Sequence, residues 1–173
     1  MQNQNQQQQQ NLHESTQMPP QKNHGGHALL DAHESIGGLI GVMEQNLLYA
    51  EHIQDQELST MAQKHQTFIA QMYNTILDTL KTGQDPTVPT QRYQMDQSNN
   101  VIYGMKPSQP KSPSQSVSEI NDECVSSFML GGLKTIASSF TSAALESTNP
   151  VLRRIFADSV PNAIEMAYEV FLY

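Results

Sequence analysis

Apolar side chains recur at helical spacing along four stretches of this chain. Leu29, Ile36, Ile40, Met43 and Leu47 form one stripe, the mark of an amphipathic helix, and predict a first helix over about 28–53. Leu58, Met61, His65, Phe68, Met72, Ile76 and Leu80 predict a second over about 57–80, stopped by Gly83 and Pro86. Gly37, Gly38 and Gly41 fall inside the first helix, where each is worse than alanine by up to about 1 kcal/mol. Close approach of a neighbouring backbone would explain them.

A third stripe, Val125, Met129, Leu133, Ile136, Phe140 and Ala144, predicts a helix over about 119–147, with Gly131 and Gly132 again allowing close packing. Ser116 and Glu119 have the spacing of a capping box at its start. Asn149 and Pro150 form the N-cap and first residue of a fourth helix over about 150–173. Its buried face is predicted to be Leu152, Ile155, Phe156, Ala163, Ala167 and Val170. Pro161 lacks the helical donor, so a kink or short break is expected around Val160.

The short link near Gln54 makes the first two helices an antiparallel hairpin. Residues 82–118, in contrast, carry no helical period and hold Pro86, Pro89, Pro107, Pro110 and Pro113. A connection that long needs a physical reason. If the third helix runs parallel to the second, the chain must travel the bundle's length, roughly 36 Å for a helix rising 1.5 Å per residue. Val101, Ile102 and Tyr103 are the expected anchor of this crossover. Two hairpins joined by one long crossover is the connectivity of ferritin-like four-helix bundles, and the chain is expected to be an all-α bundle of that kind; an ordinary bundle with a long flexible loop would show the same pattern.

Residues 1–27, with Gln6 to Gln10 and scattered His13, His24 and His27, are too polar to offset their ordering entropy and are expected to be a disordered tail. The domain proper is expected over 28–173. The first residues lack a basic and an apolar region, so no secretory signal is expected. No apolar run is long enough for membrane insertion. A net charge of −8 argues against nucleic acid as partner. The uneven placement of that charge leaves a homo-oligomer open. One cysteine, Cys124, excludes an internal disulfide and is expected to be a buried thiol.

Acids on four helices raise the question of a metal. A dinuclear bundle site needs a glutamate on each of two helices and an E-x-x-H pair on each of the others. No glutamate here is followed three residues on by histidine. The residues left for a weaker site are His33 and Glu34 on the first helix, His65 on the second, and Glu165 and Glu169 on the fourth. A lone histidine on an apolar stripe is more often a hydrogen-bonded core residue than a ligand. No metal site, cofactor or catalytic constellation is therefore expected, and the chain is read as a non-enzyme. A metal-binding redox or storage protein is the alternative, with those five residues as its ligands.

The second half carries a more specific pattern. Asp122 near the start of the third helix, ALESTNPVLR over Ala144 to Arg153, and EMAYEVFLY over Glu165 to Tyr173 resemble the coat F family of bacterial spore coat proteins. His33–Glu34 and YGMKPSQPKSP over Tyr103 to Pro113 extend the resemblance across about 28–173. Relatives usually continue past the equivalent of Tyr173 and more often carry helix-compatible residues around the position of Pro161. The resemblance implies a ferritin-like fold and a structural or assembly role in the endospore coat of Bacillus-like or Clostridium-like bacteria. It implies synthesis in the mother-cell cytoplasm and other coat proteins as partners. Glutamines of the tail would then be candidate acyl donors for crosslinking.

Overall fold

The computed structural model describes residues 24–98 and 111–173. Among them every regular element is helical: α1 (Gly26–Tyr49), α2 (Gln56–Thr82), α3 (Asp122–Glu146) and α4 (Pro150–Leu172), with short 3-10 turns at Ala50–His52 and Val117–Glu119. The tail before residue 24 and the Val101–Tyr103 patch lie outside the described residues. Gly26 and His27, assigned above to the tail, open α1 instead.

Local chemistry sets the helix ends. The Asp55 carboxylate accepts from the Glu57 and Leu58 N–H groups and caps α2. Gly83 closes α2 at φ 68°, a left-handed conformation that glycine adopts without the Cβ clash. Asn149 caps α4 through Val151 and Leu152, with Pro150 in the first turn as predicted. The third helix begins later than expected. Ser116 and Glu119 do interact, at 3.3 Å, but they organise the 3-10 turn. Asn121, whose side chain accepts from the Cys124 N–H, is the actual N-cap.

Pro161 does not break α4, which is helical from Pro150 to Leu172. The ring sits on the exposed side, where its missing donor leaves a carbonyl facing water rather than core. Cys124 is half-buried rather than buried.

The helices pack α1 against α2 and α3, and α4 against α2 and α3, an arrangement compatible with a four-helix bundle. One apolar cluster fills it, with Leu39, Leu58, Ile69, Ile76, Phe140, Leu152, Phe156 and Met166 essentially inaccessible. Phe140 and Phe156 meet across α3 and α4 with centroids 5.6 Å apart. The predicted faces of α2, α3 and α4 are largely the buried ones.

The face of α1 is different. Ala28, Ala32, Ser35, Ile36, Leu39 and Asn46 are buried, while Leu29, Ile40 and Leu47 are exposed. Small and polar residues share the inward side with Ile36 and Leu39, and the polar ones find partners on neighbouring helices. Ser35 and Ser139 hydroxyls meet at 2.8 Å, and Asn46 donates to Gln66. A Cβ at Gly132 would stand 3.3 Å from Val42, so this glycine does serve close packing. Gly37, Gly38 and Gly41 face nothing within 4 Å, so the expected backbone approach is not made among the described residues.

Hydrogen bonds tie the helix ends together. The Gly25 N–H donates to Thr148 at 2.9 Å, joining the start of α1 to the end of α3. The Gln54 N–H donates to Asp122 at 2.8 Å, joining the starts of α2 and α3. Asn149 donates to the Gly83 carbonyl at 3.1 Å, joining the end of α2 to the start of α4.

Candidate functional site

Between α2 and α4 lies the first part of the long connection, residues 84–98, here called the strap. It leaves Gly83 and runs back along α2. The Thr87 N–H donates to Asp78 at 2.7 Å, and Thr75 reaches the Val88 carbonyl at 3.3 Å. An extended segment in a groove must have its backbone groups satisfied by something other than a ladder. Two side chains of α4 do this.

Asn162 accepts from the Tyr93 N–H at 2.9 Å and donates to the Gln91 carbonyl at 2.8 Å. Two turns further along, Glu169 accepts from the Asp96 N–H at 2.8 Å. The register is a matter of length. Two helical turns advance about 10 Å, and three extended residues advance about 10 Å as well. Helix and strap therefore stay in step from Tyr93 to Asp96.

Glu169 is the centre of the site. Though a carboxylate, it is only 1% exposed, a position tolerable only when charge is compensated. Oε1 accepts from the Asp96 N–H and from Lys64 Nζ at 3.3 Å. Oε2 accepts from His65 Nε2 at 2.8 Å and from the Tyr93 hydroxyl. Four donors fill the roughly four acceptor positions of an ionised carboxylate. Lys64 also pairs with Asp96 at 2.8 Å and lies 4.8 Å from the centre of the Tyr93 ring.

The electrostatics follow. Burial pushes the Glu169 carboxyl up, but hydrogen bonds from His65, Tyr93 and the Asp96 N–H outweigh it and hold the group at about 2. Burial, together with the hydrogen bond to Glu169, drives the Tyr93 phenol far above its ordinary value, so it remains a donor. His65 stands edge-on to Tyr93, and Phe68 packs edge-on to the same ring at 5.0 Å. Nothing polar among the described residues reaches His65 Nδ1.

Of the five residues singled out as possible ligands, the structure joins His65 and Glu169. Glu165 is half-buried one turn from Glu169, beside a cleft of about 300 Å³ under the strap. His33 and Glu34 are exposed on the outside of α1. Among the described residues no group of three or more His, Cys, Asp or Glu could hold a metal ion. The site also uses residues that the sequence pattern did not flag: Lys64, Tyr93, Asp96 and Asn162. Tyr93 and Met95 alternate with polar neighbours, the period of an extended segment with one inward face, and that was the available signal.

The chain matches the Coat F domain over residues 121–173, which covers α3 and α4 with Asn162 and Glu169. It is 40% identical over 169 residues to the spore coat protein F-like protein YhcQ of Bacillus subtilis (strain 168), covering 98% of this chain and 78% of that one. The chain belongs to the coat F family of spore coat proteins. Membership places it in the spore coat and ties it to sporulation. No solved structure matches it. No helix among the described residues is long and apolar enough to cross a membrane.

Proposed function

We propose that this coat F protein is a structural or assembly component of the endospore coat, made in the mother cell and acting by association with other coat proteins rather than by catalysis. The observation that carries the reading is likeness to a spore coat relative across 98% of the chain. The chemistry of the strap site agrees with it. A carboxylate already accepting from four donors has no lone pair left for a metal or a substrate, and its work is to fasten the strap to two helices.

The bundle that carries this role is read as one domain over 28–173 with ferritin-like connectivity. Support comes from the Gln54–Asp122 and Asn149–Gly83 hydrogen bonds. They favour α2 and α3 running the same way, which requires the link between them to cross the length of the bundle.

A fluorescent fusion expressed during sporulation tests the proposal. A ring around the forespore, retained with the coat fraction and crosslinking to other coat proteins, is the expected result. A fusion that is retained in the coat but recovers no coat partner, or purified protein holding stoichiometric iron or manganese, would overturn it.

A further inference from the structure

α1 turns one side to the core and leaves the opposite side open. At the centre of the open side stand Leu30 and Leu48, 65% and 69% exposed, with Gly37 and Gly41 between them. At 3.6 residues per turn these four fall on one line down the helix. Neither glycine has a neighbour within 4 Å of where a Cβ would sit. Exposed leucines are each unremarkable, but glycine inside a helix costs up to about 1 kcal/mol relative to alanine. Among the described residues no contact of either glycine offsets that cost.

We propose that this face pairs antiparallel with the same face of a second copy, across a two-fold axis at the level of Leu39. The spacing of the line is what such an axis requires. Leu30 and Leu48 stand equidistant from Leu39, and so do Gly37 and Gly41. An isologous contact must be self-complementary. Here it sets Leu30 against Leu48 of the second copy and Gly37 against Gly41. Glycines facing glycines let the two backbones close in, and the leucines pack at either end.

Carboxylates meet hydrogen-bonding side chains in the same register. A two-fold axis perpendicular to two antiparallel helices lays each flank on the like flank of the other copy. His33 and Glu44 share one flank, and Glu34 and Gln45 share the other; all four are exposed. Glu44 then lies within one residue's rise of His33 of the second copy, and Glu34 within one of Gln45, each pair occurring twice. Opposed helix dipoles favour antiparallel over parallel pairing. The net charge of −8 on each chain opposes association, so moderate salt strengthens the dimer.

The proposal is independent of the coat assignment, since its test uses the purified full chain alone. In a Cys124→Ser background, chains carrying Leu30→Cys and Leu48→Cys are mixed under mild oxidation. The mixture is expected to form a disulfide-linked dimer, and each variant alone is not. Sedimentation is expected to show a dimer for the parent and a monomer for Leu30→Glu with Leu48→Glu, at unchanged helicity. Leu145→Glu, 80% exposed on α3, keeps the dimer. A monomeric parent, self-crosslinking of the Leu30→Cys chain, or a dimer that survives both glutamates overturns the proposal.

Discussion

His65 Nε2 lies 2.8 Å from Glu169 Oε2, and each residue is 1% exposed. An imidazole on α2 and a carboxylate on α4 thus meet inside the bundle, and the strap closes over them with Tyr93. The pair looks like half of a metal site, yet its other acceptor positions are filled by Lys64 and a backbone N–H. These contacts fasten a non-helical segment to two helices.

Glu169→Gln tests the lock. The amide removes the charge and turns one acceptor into a donor facing other donors. Removing one partner of a buried ionic network costs about 3–5 kcal/mol. Chemical denaturation should show a loss of that order. A loss below about 0.5 kcal/mol, the scale of an ordinary surface change, would mean that the hub is not a stabilising centre.

The same carboxylate makes stability depend on pH. Its value in the folded chain, about 2, lies below the ordinary 4.5. A group depressed by folding contributes fully above its ordinary value and loses that contribution as pH falls toward the folded one. Thermal midpoints should therefore fall between these two pH values, and the fall should be shallower in Glu169→Gln. Parallel curves for the two proteins would refute the assignment.

Asn162→Ala removes the clamp on the Tyr93 and Gln91 backbone groups. A buried backbone group left without its partner costs about 1–3 kcal/mol. Hydrogen exchange should accelerate at the Tyr93 amide while amides in the middle of α3 stay protected. Uniform acceleration along the chain would instead indicate global destabilisation.

Pro161→Ala restores a helical donor on the exposed side of α4, where no neighbouring element need move. The intrinsic preference of alanine over proline in a helix interior is about 3 kcal/mol, less what the freer unfolded chain gains. A rise in the urea midpoint is expected. A fall would show that the proline ring itself supports the strap it borders.

The inward faces of three of the four helices were legible because their apolar stripes are long and lie on the side that packs. Leu58 to Ile76, Val125 to Phe140 and Leu152 to Val170 are buried much as periodicity demands. α1 misled for a physical reason. Of its apolar stripe, Leu29, Ile36, Ile40, Met43 and Leu47, only Ile36 is buried and Met43 packs against the core; Leu29, Ile40 and Leu47 are exposed while Ala32, Ser35 and Leu39 lie inside. Periodicity reports where grease is, and burial is decided by which face the neighbours can reach.

The sequence by itself determined four helices, the N-cap at Asn149, the glycine stop at Gly83 and, through its second half, the family. These are local properties, set by side chains within a turn or two of one another. Tertiary structure alone decided that Glu169 meets His65 and Tyr93, that Asn162 holds the strap, and that His33 and Glu34 face outward. Those contacts join residues far apart in the chain, and their register depends on how helices and strap advance side by side, which no single stretch encodes.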